Sequence, residues 1–305
     1  MKNLKYHFLA LLVTTLVAGS FLSSARLSGV INPFSLTLLR FVIAALVLLP
    51  FVLMKEKNRK AISKALPRSL IMSFFFSTFF ICMFEALKTT TALNTGTLYT
   101  LVPFMTAVFS LFVFKEKMTK NMFFIYLLGI TGTCWVIFKG DISALLAFSL
   151  NYGDVLFLLG CVSMVCFSLS MKLLYRGNEM IVVVFCTLLG GALWMLLALF
   201  VFEQRLQWHL LNNSLLIHMA YLALFATLAS TFIIQKTTVI LGPSRVMAYI
   251  YLNPVFVALL TVLIEGATLP AIIYPGMLLS IAATIVIQYQ NREVKSSSNP
   301  ISIKS

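Results

Sequence analysis

The side chains in this sequence that can do chemistry are sparse, mostly neutral and set inside long apolar runs. Tyr249 and Asn253 stand four apart in one such run, so they share a helical face, and Pro254 follows directly. An amide surrounded by apolar residues needs partners for both its donor and its acceptor end. Asn253 therefore either meets a ligand or hydrogen-bonds a neighbouring helix. A second run places Thr95, Tyr99, Thr106 and Ser110 at helical spacing around Pro103. A third carries Thr227, Thr231 and Gln235 on one stripe. The prolines matter chemically too: each removes a backbone donor and frees a carbonyl in the preceding turn. Two charges lie within apolar runs, where a charge is costly and so a functional candidate. Arg40 can attract a carboxylate or extend toward headgroups. Glu85 can carry a proton, pair with Arg40, or pair with Lys88 three residues on. Together these groups offer recognition and release of a small solute. The candidate binding set is Tyr99, Pro103, Tyr249, Asn253, Pro254, Arg40, Thr95 and Thr231, with Glu85 as a candidate coupling residue.

Signals for bond-making chemistry are weak by comparison. His7, His209 and His218 are scattered, with no paired carboxylate or nucleophile pattern beside them. All five cysteines fall inside apolar segments, and none has metal-ligand spacing to a histidine. No phosphate-binding G-x-x-x-x-G-K-[ST] loop occurs. The reading is therefore no enzyme, no cofactor and no metal.

The elements that must position these residues follow from composition. Hydrophobic residues make up 60% of the chain and charged ones 10%, far from a soluble domain. The spacing predicts ten membrane-crossing helices at 6–24, 34–54, 70–88, 92–114, 122–138, 154–175, 180–202, 214–236, 244–264 and 271–289. The expected class is an all-α integral membrane protein. Eighteen Lys and Arg fall in alternate connections with both termini, and four in the opposite set, which predicts cytoplasmic N- and C-termini. The densest basic patch, read as a loop over 55–69, suits anionic lipid headgroups, and nucleic acid is not expected as a partner. The N-terminal apolar run reads as a first membrane anchor rather than a cleaved signal. A homodimer is open to such a chain, although no apolar segment carries a clear G-x-x-x-G face.

Two segments align without a gap, TLVPFMTAVFSLFVFKEKMT and YLNPVFVALLTVLIEGATLP. Leu101 falls over Leu252, Pro103 over Pro254 and Ala107 over Ala258. Glu116 and Glu265 follow, each with a threonine three residues later; Glu265 comes sooner after its proline, which predicts a shorter ninth span. Residues 1–143 and 144–289 then form two five-helix repeats, with 290–305 as a polar cytoplasmic tail. An odd number of crossings per repeat inverts one relative to the other, and inverted-repeat carriers bind solutes where the halves meet. Gly19-Ser20, Arg40-Phe-Val-Ile-Ala-Ala, Ala86-Leu-Lys-Thr-Thr, Leu241-Gly-Pro-Ser-Arg245 and Tyr251-Leu-Asn-Pro254, in this order, carry a resemblance to the EamA-type branch of the drug/metabolite transporter superfamily. The resemblance implies a ten-helix exporter or exchanger of small metabolites, such as amino acids or related compounds, in a bacterial cytoplasmic membrane. Alternating access is the expected mechanism; a channel or a membrane-embedded transferase is the alternative.

Overall fold

A computed structural model describes residues 4–27, 30–90, 92–115, 118–147, 150–266 and 268–297. Regular structure among them is helical. Helix α1 (Leu4–Leu27) is apolar over Leu4–Ser20, and α2 (Pro33–Leu53) begins at a proline behind Asn32. The Asn32 side chain accepts from the Phe34 N–H at 2.8 Å, satisfying one of the donors that a helix start leaves open. Then come α3 (Glu56–Ala86), the pair α4 (Ala92–Tyr99) and α5 (Val102–Phe114), α6 (Lys120–Ile137) and the short α7 (Ile142–Leu146). The second half opens with α8 (Tyr152–Leu173) and α9 (Met180–Val201). The eighth span is α10 (Asn213–Ala223), a π-helical turn over Leu224–Ala229, and α11 (Ser230–Leu241). The ninth is α12 (Pro243–Ala248), a 3-10 turn over Tyr249–Leu252, and α13 (Asn253–Glu265); α14 (Tyr274–Ser297) closes the chain. Nine of the described spans are long and apolar enough to cross a bilayer, in addition to the shorter apolar start of α1.

The halves interlock. Helix α3 packs on α8 and α9, α2 on α9, α1 on α10, α11 and α13, and α6 on α14. Side chains on the outer surface are the large apolar ones, such as Phe112, Phe200 and Leu263, as expected where hydrocarbon is the solvent. With no hydrophobic drive between helices in lipid, close packing of small residues has to hold them. The α6–α14 crossing shows it: a Cβ built on Gly132 would lie 2.8 Å from the Ser280 backbone nitrogen and 2.9 Å from the Gly276 carbonyl oxygen. Thr133 and Ser280 hydroxyls meet at 3.3 Å beside it, and the Trp135 indole donates to the Ile272 carbonyl at 2.7 Å.

Two sequence expectations change, and a third range gains detail. The basic stretch 55–69 is not a loop: it forms the first turns of the 31-residue α3. It is amphipathic, turning Asn58, Ala65 and Ser69 inward and the lysines outward, so tertiary packing carries the helix through Pro67. The ninth span is not shortened, because α5 and α13 are both 13 residues long. Each has its proline second, and each ends at a left-handed residue, Lys115 or Gly266. The polar tail starts as helix, since α14 runs to Ser297. Glu116 lies outside the described residues.

One acid has a structural role that the sequence reading passed over. Asp154, in the first turn of α8, is fully buried. Its carboxylate accepts from the Asn151 backbone N–H at 2.9 Å, the Thr90 hydroxyl, and the Asn94 amide at 3.2 Å. It thereby fastens the start of the second half to the turn between α3 and α4. Asp154→Ala leaves those donors unpaired and should cost about 2–3 kcal/mol of stability, with Asp154→Asn losing less. Gly132→Ala should cost about 1–3 kcal/mol by forcing α6 and α14 apart. Thermal unfolding of the purified protein in detergent checks both; unchanged midpoints would show that neither contact bears on stability.

Candidate substrate site

Both prolines begin helices rather than kink them. In the fourth span the chain leaves α4 after Tyr99, turns through Thr100 and Leu101, and restarts with Pro103 at the second position of α5. In the ninth, the 3-10 turn Tyr249–Leu252 precedes α13, whose second residue is Pro254. A proline early in a helix loses a donor that has no intrahelical partner anyway, and its fixed φ suits the first turn. The break therefore falls one turn earlier than a mid-helix kink would put it. The two breaks lie against each other: Phe104 and Ala107 of α5 pack in one cluster with Ala248 and Tyr251. Ser110 and Ser244 hydroxyls join the same spans at 2.9 Å.

Tyr251, which was not a candidate, is the support of the ninth-span break. It is fully buried and lies on Gly129, where a Cβ would come within 2.5 Å of its ring. Its hydroxyl donates to the Tyr126 carbonyl at 3.1 Å, and its own carbonyl accepts from Thr133 at 3.5 Å. Tyr249 is also engaged, its hydroxyl 2.8 Å from His7 Nδ1. In the sequence His7 is only one of three scattered histidines. It shares a buried face of α1 with Ala10, Thr14 and Ala18, a helical spacing that could have placed it inside. Asn253, at the first position of α13, is buried, yet its amide bonds to no described residue. The interhelical hydrogen bond that was one of its two readings is thus not made to any described residue.

The eighth span supplies the second wall. Its π turn holds Thr227, whose hydroxyl accepts from Arg40 Nε at 3.0 Å. Such turns disturb the helical ladder and recur at functional sites. Ser230 donates back to the Ala226 and Thr227 carbonyls at 2.6 and 3.2 Å, answering acceptors that the turn displaces. The Arg40 guanidinium lies 5.9 Å from the centre of the Phe80 ring. Phe80 contacts Phe79 at 5.4 Å, and Phe79 contacts Tyr99 at 5.7 Å, which links Arg40 to Tyr99 along one aromatic wall. The Tyr99 hydroxyl bonds to no described residue. Thr95 and Thr231 are buried in their own spans. Glu85 pairs with Lys88 at 2.7 Å and makes no contact with Arg40. The candidates thus fall into two groups, Arg40 with Tyr99 and the ninth-span pair Tyr249 and Asn253. The start of α5 at Pro103 and the turn that precedes Pro254 lie where the fourth span meets the ninth.

What the assembled groups offer is one cation, a phenol, an amide, hydroxyls and an aromatic surface. Among the described residues no three His, Cys, Asp or Glu gather as a metal site. The sequence signal for the π turn was absent, because nothing in LFATLA departs from an ordinary apolar helix.

Comparison with known proteins agrees with this architecture. The EamA-like transporter family matches residues 4–138 and again 151–289. A curated Bacillus subtilis (strain 168) protein, described as the uncharacterized transporter YyaM, is 24% identical over 206 residues, 66% of this chain and 67% of its own. A protein of known crystal structure shares the fold with a TM-score of 0.76 at 18% identity, over 94% of this chain and 99% of that one. Two consecutive family matches over an all-helical, multi-pass membrane chain make this protein a member of the EamA-like transporter family.

Proposed function

We propose that the protein is a secondary carrier that moves a small metabolite by alternating access between its two five-helix repeats, divided near residue 143. The observation that carries this reading is the pair of proline-headed restarts, at Pro103 and Pro254, with the first turns of α5 packed on the ninth-span turn that precedes Pro254. Broken backbone is tolerated at membrane depth where protein or a water-filled cavity covers it. Inverted-repeat carriers use such breaks to bind their cargo. Tyr99 and Asn253 line the site with free polar ends, Arg40, Thr95 and Thr231 complete it, and Tyr249 positions helix nine through His7. Glu85, paired with Lys88, sets the outer end of α3 and is the candidate for proton coupling. Family membership supports export or exchange of amino acids or related compounds across a bacterial cytoplasmic membrane.

The charge asymmetry supports a cytoplasmic location for both termini and for the basic start of α3. There a cleft of about 490 Å³ is lined by Ser63, Lys64, Pro67, Arg68, Arg176 and Asn178, a setting suited to anionic headgroups.

Proteoliposomes loaded with a mixed pool of amino acids and common metabolites should show saturable counterflow of one compound class. Asn253→Ala should slow it by roughly tenfold, about the worth of one buried hydrogen bond. Flux that neither saturates nor exchanges would mark a channel instead. For orientation, a membrane-impermeant thiol reagent on intact cells should label Lys139→Cys and spare Lys57→Cys. The reverse pattern would invert the topology.

A further inference from the structure

Arg40 combines three properties. It lies deep, seven residues into α2 and so about 10 Å below the start of that helix. It has no acidic partner, since the ion pairs among the described residues join Lys57 to Glu179, Lys60 to Glu56 and Lys88 to Glu85. And its bonding is incomplete, because Nε is taken by Thr227 while no described residue accepts from Nη1 or Nη2. Lys172 and Lys236, by contrast, sit near the ends of their spans against Phe114 and Phe232.

The side chain does not reach for the nearer headgroups. Leu36, one turn earlier on α2, packs with Met219 and Leu222. Arg40 instead reaches Thr227, more than a turn further along the eighth span, so the guanidinium runs toward the middle of the bundle. There it touches residues of both repeats, Phe80 from the first and Thr227 from the second. An unpaired guanidinium at this depth is expensive, and such charges persist where they face a pathway or a counter-ion. With Nε held, the two terminal nitrogens still present parallel N–H donors, the geometry that binds a planar carboxylate through both oxygens.

We propose that Arg40 is the anion-binding centre of the translocation site and that the cargo carries a single carboxylate on an apolar body. The inference rests on the carrier reading above and names its substrate class. A lone fixed positive charge balances a monoanion, whereas a phosphate monoester would need more cation than this wall provides. The wall beside it is apolar: Phe80 lies by the guanidinium, and Phe76 and Phe84 stack on Phe80. Thr227 is a positioning residue: its hydroxyl holds the guanidinium so that the terminal nitrogens point to the cargo.

The test uses the purified full-length protein and measures binding of phenylpropionate and isocaproate. Controls are their carboxamides and phenylethyl phosphate. Wild type should bind the carboxylates at least about tenfold more tightly than the matched amides. Arg40→Gln should erase that preference, and Arg40→Lys should restore part of it, because an ammonium keeps the charge without the fork. Thr227→Val should reduce the preference with the charge intact, which keeps the test decisive where Arg40→Gln does not fold. Equal binding of acid and amide, no binding of either, or a preference that survives Arg40→Gln overturns the proposal. Tighter binding of the phosphate ester overturns the single-carboxylate assignment. Counterflow separates the two readings. Exchange of neutral solutes without carboxylate preference would retain the carrier and discard the anion centre. Carboxylate binding lost in Arg40→Gln, with no exchange of any solute, would do the opposite.

Discussion

In hydrocarbon every backbone N–H and C=O must find its partner inside the protein, and the rest of this structure follows from that demand. A continuous helix meets it automatically. A helix that stops in mid-membrane does not, and this chain stops twice at proline-headed restarts and once loosens into a π turn. Each irregularity is answered by a side-chain hydroxyl. Thr133 donates to the Tyr251 carbonyl, Thr100 donates to the Thr97 carbonyl, and Ser230 donates to two carbonyls of the π turn. The small hydroxyls that look like helix-packing residues in the sequence are therefore also the groups that make non-helical backbone tolerable.

Other polar links run from one half to the other, and they interlock the two. Tyr251 of the second half is supported by Gly129, Tyr126 and Thr133 of the first. Asp154 opens the second half while accepting from Thr90 and Asn94 of the first. Thr227 in the second half holds Arg40 in the first. In lipid such polar links cannot trade partners with water, so each has to be built by a specific neighbour. A device that alternates between two arrangements must exchange or carry these links as the halves move.

Much of the architecture was legible in the residues. The apolar runs lie close to the described spans, and the paired prolines mark the broken helices, because length and a missing backbone donor act locally. The range read as a loop was wrong for a related reason. Lys55 to Arg68 is polar on one side only, and its inward face of Asn58, Ala65 and Ser69 becomes meaningful once α3 has a neighbour to pack on.

The sequence by itself determined that the chain is a helical membrane protein, where it must cross, and that its fourth and ninth crossings break before prolines. Hydrophobic length, charge placement and proline stereochemistry settle those points without reference to any partner. Only the tertiary structure decided which polar groups are spent and which are free. Tyr249 is bound by His7 and Glu85 by Lys88, while the Asn253 amide, the Tyr99 hydroxyl and the terminal nitrogens of Arg40 hydrogen-bond to no described residue. The physical reason is that hydrogen bonds between spans join residues far apart in sequence. His7 and Tyr249 are 242 positions apart, and Arg40 and Thr227 are 187 apart, so no local pattern encodes their meeting.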